Sequence, residues 1–176
     1  VAFANISKLD PTRQIPHSSK PYSLTEKPKD WSELTYEVDE KSYSLADFYG
    51  FPGNRGLIVI QDNTILLERY AKGHSPDTRW MSFSVTKSVT SMLIGAAIKD
   101  GYIESVDEPV VRYLPRLRQS PYAGASIENV LQMASGVSWN EDYADPESDV
   151  ARAGGANGLS LVKYLGNLPK AAEPGH

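Results

Sequence analysis

The chain has 176 residues, of which 40 % are apolar and 23 % charged, close to the averages for soluble globular proteins. Eighteen Lys and Arg against 22 Asp and Glu give a formal net charge of -4, so the chain lacks the basic excess that nucleic-acid binding uses and no nucleic-acid partner is expected. No apolar run approaches the roughly 20 residues needed to cross a bilayer, and the absence of cysteine excludes disulfides and thiolate nucleophiles.

Residues 1–50 are predicted to form an extended N-terminal arm, because prolines interrupt them and no helical periodicity is sustained. Within this arm we predict a short strand at residues 34–38 and a helical turn at residues 44–48. The chain begins with Val1 instead of Met, which is typical of a processed or trimmed N-terminus. The compartment is not determined by the sequence, although a periplasmic or secreted location is favoured over a cytoplasmic one.

Residues 51–100 are predicted to contain a β-hairpin followed by a helix. Two β-rich runs, residues 57–60 and 64–70, flank a connection that contains Asp and Asn, which tolerate the backbone conformations of a tight turn. The helix is predicted over residues 84–99, where apolar residues recur at helical spacing and are numerous enough to suggest burial on most sides. The residues of that stripe are Val85, Val89, Met92, Leu93 and Ala96. Gly101 is expected to end the helix in a left-handed conformation.

Residues 101–176 are predicted to begin a mainly helical region that is incomplete at its C-terminus. A short helix is expected near residues 107–115, and Ser126 is a candidate N-cap for a helix that Ser135 and Gly136 stop. A polar loop is predicted over residues 139–146. The amphipathic run at residues 159–168 follows a break marked by glycines at positions 154, 155 and 158.

The tetrad Ser84-Val85-Thr86-Lys87 matches the pattern S-x-x-K. Residues three apart on a helix lie on the same face, so the Lys87 amine can approach the Ser84 hydroxyl. A serine hydroxyl needs an adjacent base to act as a nucleophile near neutral pH, and a lysine that is desolvated among apolar neighbours can supply one. The N-terminus of the helix also directs backbone N–H groups toward the space where an oxyanion would form.

The pattern alone does not establish catalysis. It occurs a second time at Ser160 and Lys163, whose flanking residues match nothing else. For the first tetrad the alternative is structural: Ser84 would cap a helix and Lys87 would be a surface charge with a partly buried stem.

The residues around Ser84 resemble the active-site helix and following turn of the β-lactamase and penicillin-binding-protein superfamily, in its class C and esterase branch. The resembling segment reads W-M-S-F-S-V-T-K-S-V-T-S-M-L-I-G-A-A-I-K-D-G-Y-I and continues E-S-V-D-E-P-V-V-R-Y-L-P. Residues 126–136 resemble the next helix of that branch, which often ends L-L-x-H-T-S-G, although this chain lacks the His. Residues 138–146 look closer to the 6-aminohexanoate-oligomer hydrolases.

The resemblance implies an α+β fold, with an antiparallel sheet flanked by helices and a mainly helical region. It implies a serine hydrolase that cleaves a small-molecule amide or ester through an acyl-enzyme, with Ser84 as nucleophile and Lys87 as base. No metal and no organic cofactor are expected. A β-lactamase or DD-peptidase is the alternative activity, and a non-catalytic binding or sensor protein, or an inert fragment, is the alternative of another class.

Tyr143 is a third candidate site residue, because a Tyr in the same N-E-D-Y setting faces the substrate cleft in the 6-aminohexanoate-oligomer hydrolases that this segment resembles. It could instead be a loop tyrosine with its hydroxyl in water. A third reading, in which residues 143–145 stand in for the superfamily's Y-x-N motif, conflicts with their short distance from Ser84.

Two elements that the resemblance implies are not convincing in this sequence, namely a Y-x-N tyrosine and a Lys-Thr-Gly-like triad. Residues 174–175 look like the P-G that shortly precedes the catalytic tyrosine of relatives. We therefore expect a segment of a longer protein whose remaining C-terminal part is a partner of this chain. The three histidines lie far apart, and the acidic loop at residues 141–149 lacks the order of a calcium loop, so no metal site is expected.

Overall fold

The computed structural model of the chain describes residues 2–9, 11–154 and 158–176. They divide into two units, with the boundary between Ser82 and Phe83. The first unit holds the strands and the second holds most of the helices, so the architecture is α+β as predicted. No helix in the described part of the chain is both long and apolar enough to cross a membrane.

The first unit contains two small sheets among its described residues. Its elements are β1 (Thr25–Glu26), β2 (Thr35–Val38), β3 (Lys41–Ser44), α1 (Leu45–Gly50), β4 (Gly56–Gln61) and β5 (Thr64–Tyr70). β4 pairs antiparallel with β5, and β1 runs parallel to the other edge of β5, while β2 and β3 form a separate antiparallel pair. The helices of the second unit are α2 (Thr86–Lys99), α3 (Ile127–Leu131), α4 (Asp149–Ala153) and α5 (Gly158–Gly166).

The predicted hairpin is confirmed as β4 and β5. Asp62 and Asn63 form its two-residue turn with φ angles of 48° and 56°, the left-handed pair that fits the twist of a two-residue hairpin. Leu66 lies at an irregularity in the register and is buried, and its carbonyl accepts a hydrogen bond from the Trp31 indole at 3.2 Å. The hairpin is thereby tied to the segment that precedes β2.

The predicted arm contains the expected strand as β2 and the expected helical turn as α1. The Ser44 hydroxyl accepts the backbone N–H of Asp47 at 3.2 Å, and the Asp47 carboxylate accepts the N–H of Ser44 at 2.7 Å, which forms a capping box. The sequence did not predict β3. The turn before it places Asp39 and Glu40 at φ angles of 49° and 62°, and glutamate is not a residue that signals a left-handed turn.

The predicted helix at residues 84–99 is confirmed as a 3-10 turn, Phe83–Val85, followed by α2. Gly101 ends it with a φ of 79°, as expected. The N–H of Gly101 donates to the carbonyl of Ile98 at 3.1 Å and that of Tyr102 to the carbonyl of Ala97 at 2.9 Å. These two bonds are the Schellman motif, which satisfies carbonyls that the helix end leaves without partners.

The expectation that this helix is buried on most sides is wrong for the described chain. No residue of α2 is buried, and the side chains of Met92 and Leu93 are 66 % and 64 % exposed. The partly buried positions, Ile94, Ala97 and Ile98, lie toward its C-terminal end. The apolar stripe is present as predicted, but the described residues leave it uncovered.

The core of the second unit lies beyond α2. Its buried apolar residues are Ile103, Leu117, Ala125, Ile127 and Leu168. Ser126 caps α3 as predicted: its hydroxyl accepts the N–H of Asn129, and the Asn129 side chain accepts the N–H of Ser126, both at 3.0 Å. The polar segment at residues 139–146 has no helix or strand, and the amphipathic run forms α5. Gly155, which the sequence marked as part of a break, lies outside the described residues.

Gly136 adopts a conformation that tolerates no side chain. Its φ is 75°, and an added Cβ would lie 2.4 Å from the carbonyl oxygen of Ala172. We expect Gly136→Ala to lower the free energy of unfolding by roughly 2 kcal/mol or more, because the backbone must leave its position. Urea unfolding of the full chain measures this change. Gly124→Ala is the matched control, since the nearest atom to its Cβ is 3.7 Å away. Equal losses in both variants would contradict the steric argument.

Candidate active site

The two residues of the first S-x-x-K tetrad contact each other. Lys87 Nζ donates a hydrogen bond to Ser84 Oγ at 3.0 Å. Ser84 lies in the 3-10 turn that leads into α2, and Lys87 lies in the first turn of α2. The contact is therefore made within one helical turn, as residues three apart on a helix predict.

The residue before Ser84 has a strained backbone. Phe83 has a φ of 45°, in the left-handed region that bulky residues rarely adopt. Such a conformation costs about 1–3 kcal/mol and is concentrated at functional sites, where the surrounding structure imposes it. The strained residue lies directly before Ser84, at the start of the 3-10 turn that leads into α2.

The expectation that the Lys87 amine is desolvated is wrong for the described arrangement. Ser84 and Lys87 are both exposed, and so are their apolar neighbours Val85 and Val89, at 67 % and 48 %. The physical reason is that the apolar stripe of α2 is uncovered, so it cannot keep water from the amine. The local helical geometry is enough to bring the Ser84 hydroxyl and the Lys87 amine together. Water can be excluded from the amine only if other parts of the protein cover the helix.

Lys87 lines a cavity of about 590 Å³ in the second unit, which we call the Lys87 cavity. Its other polar residues are Tyr122, Ser135, Glu141 and Tyr143. The remaining wall is apolar and consists of Val130, Met133, Val137, Trp139, Val150 and Leu165. This size, and an apolar wall with a few polar groups, are typical of small-molecule sites.

Tyr143, the third candidate of the sequence, lies in the wall of the Lys87 cavity. Its hydroxyl donates a hydrogen bond to Glu141 Oε1 at 2.7 Å. That hydrogen bond, with smaller contributions from desolvation and from the charge of Glu141, raises the pKa of Tyr143 above its ordinary value. The ring is 78 % exposed. The phenol is therefore an accessible group that keeps its proton at neutral pH.

The chain also matches known proteins. The Beta-lactamase family model matches residues 48–176, more than two thirds of the chain. The chain belongs to the Beta-lactamase family. It is 40 % identical over 93 residues to a 6-aminohexanoate-dimer hydrolase of Paenarthrobacter ureafaciens, in an alignment that covers 53 % of this chain and 24 % of that protein.

A solved structure has a similar fold. It is a Bacillus anthracis protein provisionally named a 6-aminohexanoate-dimer hydrolase, with a TM-score of 0.64 and 14 % sequence identity, over 88 % of this chain and 43 % of that one. At this identity the likeness shows the fold. The chain spans less than half the length of either protein.

Membership of the Beta-lactamase family confirms the superfamily resemblance that the sequence indicated. The solved structure confirms the α+β, β-lactamase-like fold class. The matched range begins at residue 48, so nearly all of the predicted arm lies outside it.

Several residues of the Lys87 cavity were not predicted. Ser135, Trp139 and Glu141 lie within the segments that resemble the superfamily. Their closeness to Tyr143 in the sequence could therefore have marked them as candidate site residues. No sequence pattern marks Tyr122 as a site residue. It lies in a 3-10 turn, Pro121–Gly124, which reaches the cavity only through the packing of the second unit.

The other residues singled out by the sequence lie elsewhere. Lys163 lines a different cavity, beside Arg116, so the second S-x-x-K tetrad is not brought to the Lys87 cavity. Asp142 and Asp145 accept backbone N–H groups of their own loop, from Ala144 at 2.9 Å and from Glu147 at 2.8 Å. Among the described residues, no three His, Asp or Glu side chains are grouped so that they could hold a metal ion.

Asp149 holds the loop that carries Tyr143. One of its carboxylate oxygens accepts the backbone N–H of Asn140, and the other accepts the hydroxyl of Tyr164, both at 2.7 Å. The Tyr164 hydrogen bond lowers the pKa of Asp149 most, followed by the Asn140 N–H, while desolvation opposes them. These two bonds connect the start of the loop to α4 and α5.

We expect Asp149→Asn to lower the melting temperature at neutral pH, because an amide offers one oxygen acceptor where the carboxylate offers two. The native pKa of Asp149 is depressed, so its stabilisation is present above the ordinary value of 3.8 and is lost as the pH falls through the lower native value. The difference between wild type and variant should therefore shrink below pH 3.8. Thermal melts over a pH series measure it, with Asp142→Asn as the control from the same loop. A pH-independent difference would count against the role of the charge.

Proposed function

We propose that this chain supplies the nucleophile of a serine hydrolase that cleaves an amide or ester bond of a small molecule through an acyl-enzyme. The observation that carries the proposal is the 3.0 Å contact between Lys87 Nζ and Ser84 Oγ beside a cavity that Lys87 lines. The Beta-lactamase family match supports it, and so does the relative from Paenarthrobacter ureafaciens, which is a hydrolase by name.

In the proposed reaction Ser84 Oγ attacks the carbonyl carbon of the substrate, and its proton passes to Lys87 Nζ, which acts as the general base. The tetrahedral intermediate collapses, the bond to the leaving nitrogen or oxygen breaks, and the leaving group takes up that proton. Water then adds to the acyl carbon and loses a proton to Lys87, and the bond between the acyl carbon and Ser84 Oγ breaks as Lys87 returns that proton to Ser84. The products are a carboxylic acid and an amine or alcohol.

The backbone N–H of Ser84 is proposed to donate to the oxyanion of the tetrahedral intermediate. Ser84 lies in the 3-10 turn that leads into α2, close to the N-terminal end where a helix leaves its N–H groups without intrahelical partners. Donors that are fixed before the reaction stabilise the negative charge as it develops. The strained backbone at Phe83 supports a fixed position for this group.

Linear amides and esters are the proposed substrates. The Paenarthrobacter ureafaciens relative is named for a 6-aminohexanoate dimer, which is a linear amide. The apolar wall of the Lys87 cavity suits a flexible hydrocarbon chain, since it would be buried among Val130, Val137 and Leu165. Tyr143 is proposed to contact the leaving group, because its accessible hydroxyl lies on the same cavity as Lys87.

An active-site label tests the proposal. The full chain is treated with a fluorophosphonate probe, and the modified peptide is identified by mass spectrometry. A nitrophenyl ester, the 6-aminohexanoate linear dimer and a chromogenic cephalosporin serve as substrates. We expect one label, on Ser84, with hydrolysis of the ester and the linear amide.

Rapid opening of the cephalosporin with no amide cleavage would favour the β-lactamase alternative. Absence of both labelling and hydrolysis would overturn the proposal in favour of a non-catalytic binding or sensor protein of the same fold.

A further inference from the structure

Met133 occupies a backbone position that glycine usually fills. It follows α3 with a φ of 60°. Its N–H donates to the carbonyl of Val130 at 3.1 Å, and the N–H of Ala134 donates to the carbonyl of Asn129 at 2.8 Å. These two bonds form a Schellman motif, whose left-handed residue is usually glycine and sometimes asparagine. A methionine there strains the backbone, because its Cβ crowds the following carbonyl oxygen.

Hydrogen bonds on both sides of Met133 hold it in this conformation. On one side, Asn129 forms a capping box with Ser126 at the start of α3. On the other, the carbonyl of Ala134 accepts the N–H of Gly175 at 2.8 Å. Strain of this kind persists only where the surrounding structure imposes it, and it is concentrated at functional sites.

The side chain of Met133 does not offset this strain by packing within the described part of the chain. It is 69 % exposed, and an apolar group stabilises a fold only through the surface that it removes from water. Met133 also lines the Lys87 cavity, together with Val130 and Trp139. A thioether side chain is flexible and polarisable, so it can adapt its shape to a bound alkyl chain.

We propose that Met133 is a substrate-binding residue whose side chain contacts an unbranched hydrocarbon chain of the substrate and sets the preference for its length. The inference rests on the proposed function. It narrows the substrate class to amides or esters with a chain of several methylene groups on one side of the scissile bond. Replacing Met133 by a smaller residue should therefore weaken the selection of long chains, even where the replacement makes the fold more stable.

Two ester series of graded chain length test the inference. The p-nitrophenyl esters of acetate, butyrate and hexanoate vary the acyl chain, and ethyl, butyl and hexyl acetate vary the alcohol chain. We expect the full-length wild-type chain to have a higher kcat/KM for the longest member than for the shortest in at least one series. Met133→Ala should lower this ratio by about three- to tenfold, because part of the hydrocarbon chain loses its apolar contact.

Further variants separate the side chain from the backbone. Met133→Gly should lower the ratio as Met133→Ala does, and it should raise the melting temperature by about 2–4 °C because glycine adopts this conformation without strain. Met133→Leu keeps an apolar side chain of similar volume and should keep most of the ratio. Glu40→Gly is the matched control, because Glu40 has a φ of 62° and is not among the residues of the Lys87 cavity. It should relieve strain and keep the wild-type ratio.

The outcomes separate this inference from the proposed function. If wild type hydrolyses no ester and Ser84 is not labelled, the proposed function fails and this inference fails with it. If wild type hydrolyses the esters without a preference for length, or if Met133→Ala keeps the wild-type ratio, only the role of Met133 is overturned. A lower melting temperature of Met133→Gly would also overturn it, because the side chain would then serve the fold.

Discussion

Ser84→Ala is expected to abolish labelling by the fluorophosphonate probe and to lower kcat/KM for the nitrophenyl ester by at least about 10³-fold. The alanine variant has no oxygen to attack the carbonyl carbon, and no acyl-enzyme can form. Its fold should be unchanged, because Ser84 is exposed and its described side-chain contact is the hydrogen bond from Lys87. Initial-rate kinetics and labelling on the full chain measure both effects.

The second S-x-x-K tetrad offers a matched control within the same molecule. Ser160 lies on α5 and Lys163 lines another cavity, so Ser160→Ala should keep the wild-type labelling and rate. If Ser84→Ala retained the label or the rate, another nucleophile would be responsible. If Ser160→Ala lost the labelling and the activity, Ser160 on α5 would be the nucleophile instead of Ser84.

Lys87→Met is expected to lower kcat/KM by about 10²–10⁴-fold, the range that one general acid–base group contributes. Methionine keeps the length and apolar character of the lysine stem but cannot accept the proton of Ser84. Labelling should slow by a similar factor and still occur on Ser84. The rate of probe modification over time, followed by mass spectrometry, measures this change.

Lys87→Arg distinguishes a base from a positive charge. A guanidinium keeps the charge near Ser84 but does not lose its proton in proteins, so this variant should be as slow as Lys87→Met. Lys163→Met is the control from the second tetrad and should have the wild-type rate. Near-normal activity of Lys87→Arg would show that Lys87 acts through its charge, and the proposed proton transfer would then be wrong.

The local structure at the site could be predicted because it depends on short-range geometry. The hairpin follows from two β-rich runs around Asp62 and Asn63, which adopt the left-handed turn that their residue types favour. The contact between Ser84 and Lys87 follows from helical spacing, and Gly101 ends the helix for the conformational reason that the sequence supplies. Each of these features is determined by residues that lie close together in the sequence.

Features that depend on distant contacts could not be predicted. Tyr122 reaches the Lys87 cavity through packing of the second unit, and no pattern in its neighbours signals that position. Met133 follows α3 with a φ of 60°, a conformation that its residue type does not favour. The exposure of Lys87 was also missed, because an apolar stripe on a helix indicates which face can be buried and not what covers it.

Tyr143 is held in position by a different kind of interaction from the one that positions Ser84 and Lys87. Ser84 and Lys87 keep their spacing as long as the helical turn that contains them is intact. The loop that carries Tyr143 is instead anchored by the two hydrogen bonds that Asp149 accepts from Asn140 and Tyr164. Weakening that anchor would free the loop while the nucleophile and its base stay paired. A mild denaturant should then impair substrate recognition at a lower concentration than it impairs the reaction of Ser84 with a small phosphonylating agent.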